Sequence, residues 1–299
     1  MKYYLMVSAA ALLIAIQFVL GKLYQKKAGS SLSVTLLFNI VNGIVCGLFF
    51  FSLNGFRLNL SIYSLWMAIL MSVLFFAIGV CNVLVISKGK VSIYSMFSML
   101  GLMLMPFFYG IIFLHESLNV WKILGCIILV ISLILPLFER KEGEKKNNRD
   151  FFLWCIAVFI FNGVVAIVSK THQIHPEASG TYDFLTVMYF CSGIISFLFL
   201  LIAKIFRNKD RDTDKKYEPK QILLIVIINV GYALVSGVGY LLQLLGAVEL
   251  DASVLYPIVT GGTIVLSAIL GWIFYREKMT VWILVGLILT TGATILFAL

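Results

Sequence analysis

The sequence predicts an all-α integral membrane protein of ten transmembrane helices, arranged as two inverted five-helix repeats. Three observations predict it. The 299 residues are 61% hydrophobic and 12% charged, with a mean hydropathy of +1.03, whereas soluble domains run near half apolar and a quarter charged. The apolar residues fall in ten runs of spanning length, and segments of the second half repeat segments of the first. Ten spans of roughly 20 residues use about 200 positions, which leaves about 100 for loops and tails and no room for a soluble domain.

In chain order the runs are 3–21, 33–53, 63–86, 92–114 and 119–138, then 151–169, 183–206, 221–246, 250–275 and 279–298. Backbone polar groups in lipid must be satisfied within the segment, so runs this long and apolar are helices, not barrel strands. The short joints at 88–91 and 246–251 read as tight turns, with Asp251 or Ser253 as an N-cap. The polar stretch ERKEGEKKNNRD, 139–150, falls at the midpoint and separates a first repeat, 1–138, from a second, 151–299.

Charge sets the expected orientation. Of the 23 Lys and Arg, all but Lys2, Arg57, Lys122 and Lys170 fall in or beside the loops that follow odd-numbered spans. Cytoplasmic loops retain such residues, so both termini are expected outside, with loops 139–150 and 207–220 cytoplasmic, in a multi-pass protein of the cell membrane. The net charge of +9 is thus a topology signal. No exposed basic face is formed, and no nucleic-acid partner is expected. Lys2 ahead of the first apolar run imitates a signal peptide, but no cleavage site precedes Lys22, Lys26 and Lys27. All five cysteines lie inside apolar runs, without a CxxC or a nearby His at ligand spacing, and read as small buried hydrophobes, so no metal site is expected. No phosphate loop, dinucleotide fingerprint or catalytic triad is present, and no cofactor is expected.

The internal repeat is visible without gaps. An offset of 161 laid on residues 92–131 pairs Ser92 with Ser253, Gly101 with Gly262, Gly110 with Gly271, Glu116 with Glu277, Trp121 with Trp282 and Gly125 with Gly286, and ten of forty positions are identical. Weaker echoes pair Lys22 with Lys170 and the NGI at Asn42 with the SGI at Ser192. Five helices per half is an odd number, so the second half enters the membrane from the opposite side. Inverted repeats characterise secondary transporters, whose substrate sites lie near the bilayer midplane at the repeat interface.

The stretch LDASVLYPIVTGGTIVLSAILGWIFYREKMTVWILVGLILTTGATIL and, more faintly, VSIYSMFSMLGLMLMPFFYGIIFLHESLNVWKILGCIILVISLIL resemble the repeat of the drug/metabolite transporter superfamily, in its EamA-like ten-helix branch. The shared pattern is an acidic residue closing helix 4 or 9 and a glycine at fixed distance in the next helix, here Glu116 with Gly125 and Glu277 with Gly286. The resemblance implies a lipid-embedded carrier, monomer or homodimer, that moves a small-molecule substrate by alternating access, more as an exporter than an importer. It also implies a cavity among helices 1–4 and 6–9, with helices 5 and 10 at the periphery. The small multidrug branch carries a membrane-embedded Glu in its first helix, and this chain has none in helix 1 or 6.

All fourteen Asp and Glu lie in loops or at helix ends. A charge at mid-bilayer costs at least about 2.5 kcal/mol, so a cavity lined by uncharged polar groups is expected. The substrate-cavity candidates are the amides and hydroxyls Gln17, Asn39, Asn42, Asn82, Ser98, Asn162, Gln243 and Thr260, with the tyrosines Tyr94, Tyr189, Tyr240 and Tyr256. For each the competing role is interhelical hydrogen bonding or core packing. Lys22, Lys170, Asp183 and Asp251 are the candidate cavity-mouth charges, against snorkelling for the lysines and capping for the acids. His172 and His175 are expected exposed, in an outer loop after the sixth span. Pro257 with Gly261 and Gly262 is the hinge candidate, against plain packing. No Ser/His or Asp/Asp pair is evident at membrane depth, so no enzyme is expected. The alternative to a carrier is a lipid-headgroup flippase or scramblase, because an amide-lined groove could pass a headgroup.

Overall fold

The computed structural model describes residues 2–29, 31–88, 91–135, 149–206, 218–276 and 279–297, with backbone only at 82–88, 91–93, 149, 204 and 206. Among the described residues ten helices run in order: α1 Lys2–Ala28, α2 Leu32–Leu53, α3 Ile62–Lys88, α4 Val91–Phe113, α5 Val120–Ile134, α6 Arg149–Ile174, α7 Thr181–Phe206, α8 Pro219–Glu249, α9 Ala252–Tyr275 and α10 Val281–Leu296. No strand occurs among the described residues. Eight of the helices are long and apolar enough to cross a membrane.

Local chemistry sets the ends. The side chains of Ser31, Asn119 and Thr280 accept hydrogen bonds from Val34 N, Lys122 N and Ile283 N, capping α2, α5 and α10. Left-handed Gly55 and Phe56 turn the chain after α2, and left-handed Arg276 closes α9. Several spans differ from expectation. α5 and α10, expected over 119–138 and 279–298, are helical over 15 and 16 described residues, about 23 Å at 1.5 Å per residue. α6, expected to stop at residue 169, continues to Ile174, because the polar side chains after the apolar run find protein partners.

The halves interleave. α1 packs on α8 and α9 of the second half, and α6 correspondingly on α4 and α3 of the first. α2 lies along α7, α4 along α9 and α5 along α10. Such pairings are what a two-fold axis in the membrane plane requires, and individual residues obey it. A Cβ on Gly43 would stand 2.6 Å from Gly193 Cα, so the two glycines that the repeat equates touch each other. A Cβ on Gly125 would meet Ala293 O at 3.2 Å, and one on Gly286 would meet Ser132 O at 3.1 Å. The 161 offset turns the first contact into the second. Gly101 likewise abuts the Phe159 backbone and Gly262 abuts Ala11, a pair related by the 161 offset and by the 148 offset that equates Lys22 with Lys170. Small residues let backbones close at crossings where lipid supplies no hydrophobic drive.

Candidate functional site

A cavity of about 70 Å³ lies between α1, α4, α8 and α9, lined by Ile14 and Phe18, Met99 and Leu102, Gln243, and Tyr256, Val259, Thr260 and Thr263. Two of its hydroxyls are used by the protein: Tyr256 donates to Ala166 O at 2.5 Å, and Thr263 to Ala11 O at 3.4 Å. The Gln243 amide and the Thr260 hydroxyl are buried and make no hydrogen bond to any described residue. The lining holds no charged side chain.

Gln243, Tyr256 and Thr260 are therefore the cavity candidates that the fold brings together. Several of the others bond one helix to another. Gln17 donates to the Tyr232 hydroxyl at 2.7 Å, Asn162 to Ser98 Oγ at 3.1 Å, and Tyr240 shares a 2.7 Å bond with Ser169. Asn39 faces Gly79 of α3, and Tyr189 stacks on Phe50 with centroids 5.8 Å apart. Asn42 Oδ1 and the Tyr94 hydroxyl are buried without a partner among the described residues. The Asn82 side chain lies outside the described residues. The cavity walls Ile14, Phe18, Met99, Leu102 and Val259 carry no signal in the sequence that separates them from any other apolar residue of a span.

Chain alternation puts the α8–α9, α4–α5, α2–α3 and α6–α7 joints at one end, the end expected outside. Polar contacts join the elements of that end. Glu116, from the α4–α5 joint, accepts Ala252 N at 2.6 Å and Ser253 N at 2.8 Å, capping α9 from the other half. Asp251 is the N-cap residue by position, but its own side chain makes no cap bond. Lys122 donates to Ser117 O at 2.7 Å, Ser253 Oγ at 3.1 Å and Asp251 Oδ2 at 3.2 Å. Lys170 donates to Ala247 O and Leu250 O, both at 2.7 Å. A carboxylate thus sits on the positive start of α9 and an ammonium on the negative end of α8, the favourable polarity at each. Lys170 and Asp183, expected at a cavity mouth, are buried at 5% and 7% exposure. Asp183 accepts from Asn54 Nδ2 at 2.7 Å and Asn59 N at 2.8 Å. At the opposite end Lys22 lies 4.5 Å over the Tyr275 ring. Glu277 lies outside the described residues.

The histidines depart from expectation. His172 sits in the last turn of α6, fully buried, stacked on Phe184 at 3.8 Å and 2.8 Å from Ser64 Oγ. His175 follows the helix, stacked on Tyr63 at 3.9 Å. A Ser/His pair that the sequence hid across 108 positions is thus formed. Its polarity is wrong for nucleophile activation. Gln173 Oε1 accepts from Thr181, which turns its amide nitrogen toward His172 Nδ1. That network assigns the proton to Nε2, so the imidazole donates to Ser64, whose oxygen also accepts Ser179 N at 2.7 Å. A general base needs the reverse. The hinge candidates Pro257, Gly261 and Gly262 lie within continuous helix α9, with Gly261 against Thr294 and Gly262 against Ala11.

Residues 151–299 match the model of the EamA-like transporter family. Among solved structures, the chain is similar over 100% of its length to 98% of a crystallised protein 14% identical to it, with a TM-score of 0.74, a likeness that shows the fold alone. No curated protein matches the chain.

Proposed function

Because the chain belongs to the EamA-like transporter family, we propose that it is a secondary carrier that moves a small metabolite or drug across the cell membrane by alternating access, acting as an exporter. The observation that carries the reading is the two-fold symmetry of the interface between the halves. Gly43 meets its own repeat equivalent, and the Gly125 and Gly286 contacts interchange. Two inverted halves that meet across such an axis are the elements whose relative movement opens one end as it closes the other.

In the state described, the closed end is the one that carries Glu116, Lys122 and Lys170. Opening it requires withdrawing Glu116 from α9 and Lys170 from α8. The 139–150 and 207–220 loops are cytoplasmic in this proposal, so the closed end faces out. The cavity, with neutral polar groups between apolar walls, is the substrate site.

The purified protein in liposomes, assayed for uptake of a pooled metabolite set with and without a pH gradient, tests the proposal. Saturable solute flux is the expected result. Headgroup exchange between leaflets without solute flux would overturn it in favour of a flippase.

A further inference from the structure

We infer that the cavity between α1, α4, α8 and α9 recognises the uncharged, amide-like end of a substrate, a hydrogen-bond donor and acceptor side by side on an otherwise apolar body. This rests on the carrier reading for its meaning in transport, and on the cavity alone for its chemistry. Gln243 is 8% exposed and Thr260 5%, yet neither polar group is spent on a partner among the described residues. Most buried polar groups in proteins are satisfied; Asn42 Oδ1 and the Tyr94 hydroxyl are exceptions too, but the Gln243 amide is the one of these that lines the cavity, where it is an unfilled pair of bonding positions. The Gln243 amide offers an acceptor oxygen and two donor hydrogens, and Thr260 offers both functions. Tyr256 and Thr263 have given their hydrogens to Ala166 O and Ala11 O, so each presents only a lone pair.

Charge excludes the common alternatives. No ionisable side chain other than the Tyr256 phenol lines the space, and the charged groups at the closed end are committed: Glu116 to the α9 amides, Lys122 to Asp251, Lys170 to the α8 carbonyls. A carboxylate or ammonium entering between Ile14, Phe18, Met99, Leu102 and Val259 would lose its hydration and find no counter-charge. A carboxamide, lactam or heterocyclic amide edge loses little and pairs with Gln243 in both directions. The volume, about 70 Å³, admits an end group of that size rather than a whole drug in this state.

The probes are nicotinamide, its anion analogue nicotinate, its cation analogue 1-methylnicotinamide, and the lactam 2-pyrrolidone. Their binding to the purified wild-type protein and to Gln243→Leu in micelles is measured by equilibrium dialysis. Nicotinamide and 2-pyrrolidone are expected to bind, with both ions at least about tenfold weaker, the factor that one lost hydrogen bond to a buried group carries. Gln243→Leu is expected to weaken the neutral probes about tenfold and to unfold at or above the wild-type temperature, since its amide holds no protein partner. Equal binding of an ion, no binding of either neutral amide, unchanged binding to Gln243→Leu, or a clear loss of stability in that variant each overturns the inference. Flux confined to charged solutes would sink the site and spare the carrier, whereas neutral-amide binding without any flux would do the reverse.

Discussion

Replacing Glu116 tests how the closed end is held. Its two oxygens accept from two consecutive α9 amides at 2.6 and 2.8 Å, donors that have no partner inside the helix. Hydrogen bonds to a charged group contribute about 1.5–3 kcal/mol each. Glu116 is only partly buried, so the low end applies, and Glu116→Ala should cost about 3 kcal/mol. Glu116→Gln keeps one acceptor oxygen and loses the charge, so it should cost about half as much. The assay is denaturant unfolding in mixed micelles followed by far-ultraviolet circular dichroism, with the slope unchanged and the midpoint moved. Gly110→Ala supplies an independent check. Its Cβ would collide with the Glu116 carboxylate, displacing the cap while leaving the charge in the chain, so it should approach the alanine variant. A cost for Glu116→Ala below about 0.5 kcal/mol, or equal costs for Gln and Ala, would refute the reasoning, since the first denies the cap and the second denies that both oxygens serve it.

Other perturbations probe the remaining framework. Gly43→Ala forces a Cβ into the Gly193 backbone and should cost about 1–3 kcal/mol, whereas Gly231→Ala meets nothing within 4 Å and should gain up to about 1 kcal/mol from helix propensity; thermal unfolding in micelles reads both. Ser64→Ala removes the acceptor for His172 and Ser179 N and should cost about 1–3 kcal/mol without abolishing solute flux, while lost flux at unchanged stability would give that hydroxyl a chemical role. A cysteine at Asn208 should react with an impermeant thiol reagent only after cells are permeabilised, and labelling of intact cells would reverse the proposed orientation.

The helices were legible because lipid leaves the backbone no other solution, and apolar run length alone locates them. The repeat was legible because crossings demand glycine: Gly43, Gly101, Gly125, Gly262 and Gly286 each stand where another backbone or Cβ passes. The site was legible only in its polar part. Gln243, Tyr256 and Thr260 stand out against hydrocarbon, but so do Gln17, Asn162 and Tyr240, and an amide that lines a cavity reads the same in sequence as one that pins two helices. The distinction lies in whether a partner from another helix arrives within about 3 Å, which depends on helix rotation. His172 was misplaced for a related reason. The run SKTHQI loses the apolar signal that marks a span, yet each polar side chain in it meets a partner from α3, α4, α7, α8 or its own turn, so the helix continues where hydropathy says it should stop.

The placement of charge against symmetry gives the mechanism its physical content. A carrier needs two states close in energy, and an inverted repeat supplies them if the contacts retained in both states differ from those exchanged. The retained ones must obey the two-fold, since they are the same before and after, and the glycine crossings at α2–α7 and α5–α10 do so, contact by contact. The exchanged ones must be breakable. Glu116 on α9 and Lys170 on α8 are charge–dipole contacts at helix ends next to water, and rehydration offsets most of their loss; a packed apolar seal of the same extent would have no such return. Lys170→Met tests that division: it should weaken the closed outer end and shift the population toward a state open at that end, read as faster labelling from outside of a cysteine placed at Ser253, which is buried here. Unchanged labelling in that variant would mean that this end closes by packing alone.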